Sequence, residues 1–178
     1  MVLVDNRFAT MKVCNIKLTA YFKHDLFVKK KSSKKKIFKE GLWTVIVYYH
    51  TPKLLNITGL KLKTDIEKVI SRLEDRFNNT CLKHQIDSVM ISHKDTKLIK
   101  MDSVVKVVEK TTPSMYYIDF HPELFTGMYL KPRVKGYPTI NLFYTGSFQL
   151  LGGNDFKKID ESAEFIQLVI KKCENGVF

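Results

Sequence analysis

Cysteine is scarce in this chain and does not cluster: Cys14, Cys81 and Cys173 are the only three among 178 residues, with no C-x-x-C pair. That spacing argues against a zinc ribbon or a disulfide framework and fits a reducing compartment. Acidic side chains are also few, 18 Asp and Glu against 30 Lys and Arg, which gives a net charge of +12. No stretch approaches the length of a membrane span, and an N-terminus carrying Asp5 and Arg7 does not read as a secretory signal. The expectation is a soluble, intracellular protein with no membrane partner. The sequons at Asn56-Ile57-Thr58 and Asn78-Asn79-Thr80 are then idle.

Catalytic patterns are missing too. His24, His50, His84, His93 and His121 are scattered, with no H-E-x-x-H, no paired metal-ligand spacing and no nucleophile elbow. Gly152-Gly153-Asn154 is too short for a phosphate loop and lacks a following Lys-Ser or Lys-Thr. Asp119 and Glu123 lie close enough to suggest a nuclease pair, but carboxylates in basic surroundings are more often structural. The chain is expected not to be an enzyme, with no catalytic residue, cofactor or metal.

What is abundant is local positive charge. Residues 1–36 hold ten basic residues against Asp5 and Asp25. The run Lys29-Lys30-Lys31-Ser32-Ser33-Lys34-Lys35-Lys36 reads either as a solvated loop or localisation signal, or as a footprint for a polyanion such as nucleic acid.

Two amphipathic helices stand out. From Asp65 to about Phe77, the apolar residues Ile66, Val69, Ile70, Leu73 and Phe77 recur at helical spacing. Thr64 and Glu67 form a capping-box pattern and Asn78-Asn79 a stop. From Asp160 to about Cys173, Ile166, Val169, Ile170 and Cys173 repeat the design, with Lys171 and Lys172 in the last turn. Each helix follows a strand ending in glycine: Leu55-Asn56-Ile57-Thr58-Gly59 and Phe148-Gln149-Leu150-Leu151-Gly152. Leu55 and Ile57 share one side of the first, Phe148 and Leu150 one side of the second, and these sides are expected to meet the helices. The opposite, semi-polar sides are expected to be exposed. Preceding strands run Trp43–Tyr49 and Thr139–Tyr144, and opening strands Val4–Thr10 and Ile86–Ser92. The chain is therefore an internal duplication. Its offset is 82 residues between Val4 and Ile86 and 94 between Tyr49 and Phe143. Residues 29–36 and 94–114 are the expected insertions, with Val104–Val108 readable as strand or helix.

The second half carries Pro122-Glu123-Leu124-Phe125-Thr126-Gly127, then Leu142-Phe143-Tyr144-Thr145-Gly146, then Leu150-Leu151-Gly152. This series resembles the TATA-binding protein (TBP) family, with its PELFPG segment, its strand ending in Phe before a turn, and its strand ending in Thr-Gly. Asp5-Asn6-Arg7-Phe8-Ala9-Thr10 is similar to the family's opening Gln-Asn-Ile-Val-Ala-Thr, and Asp87-Ser88-Val89-Met90-Ile91-Ser92 stands there in the second repeat.

The resemblance implies an α+β fold: a pseudo-twofold saddle, with a curved antiparallel sheet of about ten strands and helices on its convex face. Residues 1–178 would form one domain of two repeats, 1–80 and 81–178. The concave face would grip the DNA minor groove while aromatic wedges unstack base steps and bend the duplex. The implied wedges are Phe125 and Phe143, with Phe27 and Tyr49 in the first repeat and Tyr48 as the alternative to Tyr49. Asn6 and Thr58 would read base edges, with Ser88 and Leu151 in their second-repeat places. Phe8 and Met90 would lie on the same face. Asn56, Asn141 and Gln149 stand where the family carries aliphatic residues, which weakens apolar packing on A·T edges. Lys29, Lys30, Lys31, Lys53, Arg133 and Lys135 would contact phosphates.

Partners follow from the same resemblance: A/T-rich double-stranded promoter DNA, a transcription factor IIB-like protein docking at His121, Glu123 and Leu124, and the RNA polymerase machinery. The implied function is a general transcription initiation factor, monomeric on DNA, with a homodimer off DNA left open. The alternative is a TBP-fold module that binds DNA or RNA nonspecifically or recruits proteins. The Lys-, Asn- and Ile-rich composition suits an A·T-rich genome, such as that of a large DNA virus or a divergent eukaryote. Location would be a nucleus, or a cytoplasmic viral factory or virion.

Overall fold

A computed structural model describes residues 11–27 and 34–174. The described residues divide into two compact units, Val13–Val89 and Met90–Glu174 together with Met11 and Lys12. The first unit holds β1 (Met11–Phe22), β2 (Lys35–Glu40), β3 (Trp43–Tyr48), β4 (Leu54–Leu60), α1 (Thr64–Phe77) and most of β5 (Cys81–His93). Its strand order is β2-β3-β4-β1-β5, with antiparallel pairing from β2 through β1. The second unit takes the end of β5, then α2 (Met101–Thr111), β6 (Tyr116–Asp119), β7 (Gly127–Pro132), β8 (Thr139–Phe143), β9 (Phe148–Gly153) and α3 (Phe156–Glu174). Its order is β5-β9-β8-β7-β6, antiparallel from β9 to β6. This is an α+β fold, with multi-stranded antiparallel sheet and packed helices. Nine strands stand among the described residues, against about ten expected from the resemblance.

The alternation read from the sequence sets which face is buried. Leu55 and Ile57 of β4 are buried while Asn56 and Thr58 are half-buried. On β9, Phe148 and Leu150 are buried and Gln149 and Leu151 half-buried. Helix α1 buries Ile66, Val69, Ile70 and Leu73. Each aliphatic side chain removed from water in this way contributes about 1.5–3 kcal/mol. Helix α3 starts earlier than the spacing suggested, at Phe156, and buries Ile159, Ala163, Ile166, Val169 and Ile170.

Three local expectations need correction or completion. Lys63, not Thr64, occupies the N-cap of α1, and no side chain caps it. Asp65 instead reaches back, its carboxylate accepting from the N–H groups of Lys61 and Leu62 at 3.1 and 2.9 Å. At the other end Asn78 takes the left-handed conformation, φ 44°, and its N–H donates to Asp75 O. The segment Val104–Val108 is helical, because Val104, Val107 and Val108 share the buried side of α2, which packs on α3. Helix α2 and strand β6 have no counterpart among the described residues of the first unit, which explains the lengthened repeat offset. The expected opening strand Val4–Thr10 lies outside the described residues.

Candidate nucleic-acid interface

In the second unit, strand alternation sends one set of side chains away from the helices. Met128 and Leu130 of β7 are buried, so Tyr129 and Lys131 face the other way; on β6, Tyr116 is buried and Tyr117 is exposed. The turn before β7 closes with the N–H groups of Leu124 and Phe125 donating to His121 O at 2.9 and 3.0 Å, which delivers Phe125 to this open face. Its ring stacks on Tyr129 (centroids 5.0 Å apart, 13° between planes) and meets Phe143 edge-on at 5.9 Å. Beneath them Asn141 is only 5% exposed, and its side-chain carbonyl has no hydrogen-bond partner.

The aromatic strip continues into cations. Lys131 Nζ lies 5.9 Å from the Tyr129 ring centre and 5.8 Å from that of Tyr117, and the Arg133 guanidinium 5.5 Å from Tyr117. Lys131 also donates to Asp119, and that bond holds the Asp119 carboxyl below and the Lys131 ammonium above their ordinary pKa ranges. Phe125, Phe143 and Arg133, singled out from the sequence, thus lie in one strip with Tyr117, Tyr129 and Lys131, which were not. The period-2 pattern Met128-Tyr129-Leu130-Lys131 was the signal available for the last two.

The first unit is built differently. Phe27 packs edge-on against Phe38 and Phe77, at 6.3 and 5.3 Å, with Lys36 Nζ 4.0 Å over its ring. Phe38 pairs with buried Val45, so this cluster lies on the helix side of the sheet, joined to the end of α1. Tyr49 is 7% exposed and lies with the core. Tyr48 is half-buried and shares the open face with Thr44 and Ile46. Strand register gives Tyr48 the position that corresponds to Phe143. Thr139 faces Leu151 as Thr44 faces Thr58, and four residues on from each threonine stand Phe143 and Tyr48.

The open face of the first unit also carries Ile37, Tyr21 and Leu54, and between them a set of polar side chains bonded to one another. Asn15 Oδ1 accepts from Gly59 N at 2.8 Å and Thr58 Oγ1 at 3.1 Å. Thr19 Oγ1 lies 2.6 Å from Asp87 Oδ2 and 3.0 Å from Asn56 Oδ1. Asn6, Phe8, Lys29, Lys30 and Lys31 lie outside the described residues. Lys53 is exposed in the β3–β4 turn, Lys135 in the β7–β8 loop, and Ser88 and Met90 are half-buried on β5. His121 is exposed and sits 3.4 Å from both Asp119 and Glu123, beside Leu124, which is 82% exposed. Among the described residues no group of three or more His, Cys, Asp or Glu could hold a metal ion. No described helix is long and apolar enough to cross a membrane.

No family model matches this sequence, and no curated protein matches it. The fold does find a match among solved structures: Methanococcus jannaschii TBP aligns with a TM-score of 0.61 and 14% identity, over 91% of this chain and 98% of that one. The fold is TBP-like. At that identity the likeness concerns backbone topology alone.

Proposed function

We propose that this TBP-like chain is a nucleic-acid-binding module, with double-stranded DNA as its ligand, held by the open face and bent by Phe125 and Phe143 entering the minor groove. The observation that carries the reading is the strip Phe143–Phe125–Tyr129–Tyr117, edged by Lys131 and Arg133. The half-buried rings of Phe125 and Phe143 on an open sheet face supply apolar wedges, and cations beside the strip suit phosphates. Unstacking costs a few kcal/mol per step, offset by the extra surface a bent duplex covers. Pyrimidine–purine steps such as TA deform most easily, so A/T-rich sites are favoured.

In this reading residues 1–80 and 81–178 are the two repeats of one binding module. They contribute unequally: the wedge pair belongs to the second, while the first offers Tyr48, Ile46 and its polar groups. His121, Glu123 and Leu124 form the exposed corner at which an initiation partner would dock. The stacked Phe125 and Tyr129 rings favour one second reading, a platform for single-stranded bases, because base–aromatic stacking is tolerant of sequence.

The test is fluorescence-resonance bending of an end-labelled TATA duplex, in competition with scrambled duplex and single-stranded RNA. Wild type should bend the TATA duplex, and the Phe125→Ala/Phe143→Ala double variant should bind weakly at low salt without bending it. Equal binding of scrambled duplex without bending sinks the wedge reading; preference for single strands selects the platform.

A further inference from the structure

The first unit's open face carries a carboxylate that the wedge reading does not use. Asp87 lines a hollow of about 330 Å³ with Lys17, Ile46, Asn56 and Thr58. We propose that Asp87 and Asn56 form a subsite that accepts a hydrogen bond from the exocyclic amino group of guanine, so that one position of an otherwise A/T-rich site is read as G·C. This rests on the duplex-binding reading above.

The argument turns on a single proton. Thr19 is 7% exposed, and its hydroxyl lies within hydrogen-bond reach of both Asp87 Oδ2 and Asn56 Oδ1, at 2.6 and 3.0 Å. A hydroxyl donates once, and the shorter, charge-assisted bond to the carboxylate takes the proton. Asn56 is then satisfied by presenting its NH2 end to Thr19 Oγ1, since the two ends of a carboxamide have nearly the same shape. That arrangement forms a relay, Asn56 to Thr19 to Asp87, and turns the Asn56 carbonyl toward the hollow. Gln85 Nε2 lies 3.4 Å from Asp87 Oδ1, which leaves further lone pairs of the carboxylate open.

Beside the Lys17 ammonium, the hollow thus presents two acceptors, the Asp87 carboxylate and the Asn56 carbonyl. In the minor groove A·T and T·A pairs present only acceptors, whereas guanine adds an amino donor. An A·T edge against these two groups would set acceptor against acceptor and leave the open lone pairs of the carboxylate unsatisfied once water is displaced, whereas the guanine amino group satisfies them. The plainer alternative is a solvated strand carboxylate that only repels phosphates. That role would weaken binding to every duplex alike.

The test scans an A/T-rich duplex, replacing one A·T pair at a time by G·C, inosine·C or 2,6-diaminopurine·T. Inosine·C removes the amino group from G·C, and diaminopurine·T adds it to A·T. Wild type should show one position where both amino-bearing pairs bind about tenfold tighter than the amino-free pairs. In Asp87→Asn the Thr19 proton goes to the new carbonyl and an NH2 group faces the hollow, so the preference at that position should vanish or reverse. The idea is overturned if wild type shows no amino-dependent position, or if Asp87→Asn keeps it. It is equally overturned if Asp87→Asn strengthens all duplexes uniformly. Failure of wild type to bind any duplex would be a different result, removing the proposed function and this subsite with it.

Discussion

The Phe125 ring lies parallel to that of Tyr129 over the one position in β7 that has no side chain. A Cβ at Gly127 would stand 2.6 Å from Phe125 Cε1 and 2.7 Å from Asn141 Oδ1. Gly127 does not have a positive φ, so the constraint is space and not backbone strain. Gly127→Ala is therefore expected to displace Phe125 and lower stability by about 1–3 kcal/mol, the usual range for overpacking. Bending of a labelled duplex should fall toward the level of Phe125→Ala, while low-salt binding changes little. A variant that still bends DNA like wild type would show that the stacked position of Phe125 is irrelevant to the wedge.

The cations beside the strip predict a salt signature. Each phosphate contact removed should lower the slope of log K against log salt by about one unit. Arg133→Ala should do so, measured as affinity over a salt series. Lys131 differs because Asp119 already holds it. Asp119→Asn releases that ammonium, so affinity should rise at low salt and the slope should steepen. Unchanged slopes in both variants would place the phosphates elsewhere on the protein.

Much of this arrangement was legible in the sequence because it follows local periodicity. Leu55 and Ile57, Phe148 and Leu150, and the apolar stripe of α1 all lie where their spacing put them. What escaped depends on contacts distant along the chain. Phe27 matches Phe125 by its neighbour Leu26, but its surroundings are set by Phe77 at the far end of α1. Val104, Val107 and Val108 are β-branched and read equally as strand; their packing against α3 makes them helical. That Tyr48 and not Tyr49 corresponds in position to Phe143 needed the register of β3 on β4, because the turn between those strands is longer than its counterpart after Phe143.

Asn15 joins β1 to the end of β4. Its carbonyl accepts from the Gly59 N–H and the Thr58 hydroxyl, and Gly59 itself has φ 96°, a conformation that favours glycine. Asn15→Ala leaves that N–H without its acceptor and should cost about 1–3 kcal/mol. Asn15→Asp keeps an acceptor and should recover most of the loss. Urea unfolding of the two variants checks this; equal losses would show that the acceptor is not what matters.

Tyr116 predicts how the second unit responds to alkali. Its ring stacks on Phe165, its hydroxyl meets Ser162 Oγ at 2.8 Å, and burial pushes its pKa up to about 12. The unfolded chain would titrate this phenol near pH 10, the ordinary value. A folded pKa above the unfolded one means that the native state holds the proton more tightly. The contribution is therefore fully present below about pH 10 and is lost as pH rises toward 12, by about 2–3 kcal/mol in all. Tyr116→Phe removes the titrating group along with its bond to Ser162. It should be less stable than wild type at neutral pH by about 1 kcal/mol, the usual net worth of one hydrogen bond. Its stability should then fall less steeply above pH 10, so that the two curves converge or cross, as measured by denaturant unfolding over a pH series. Parallel curves would mean that Tyr116 ionises as freely in the folded protein as in the unfolded one.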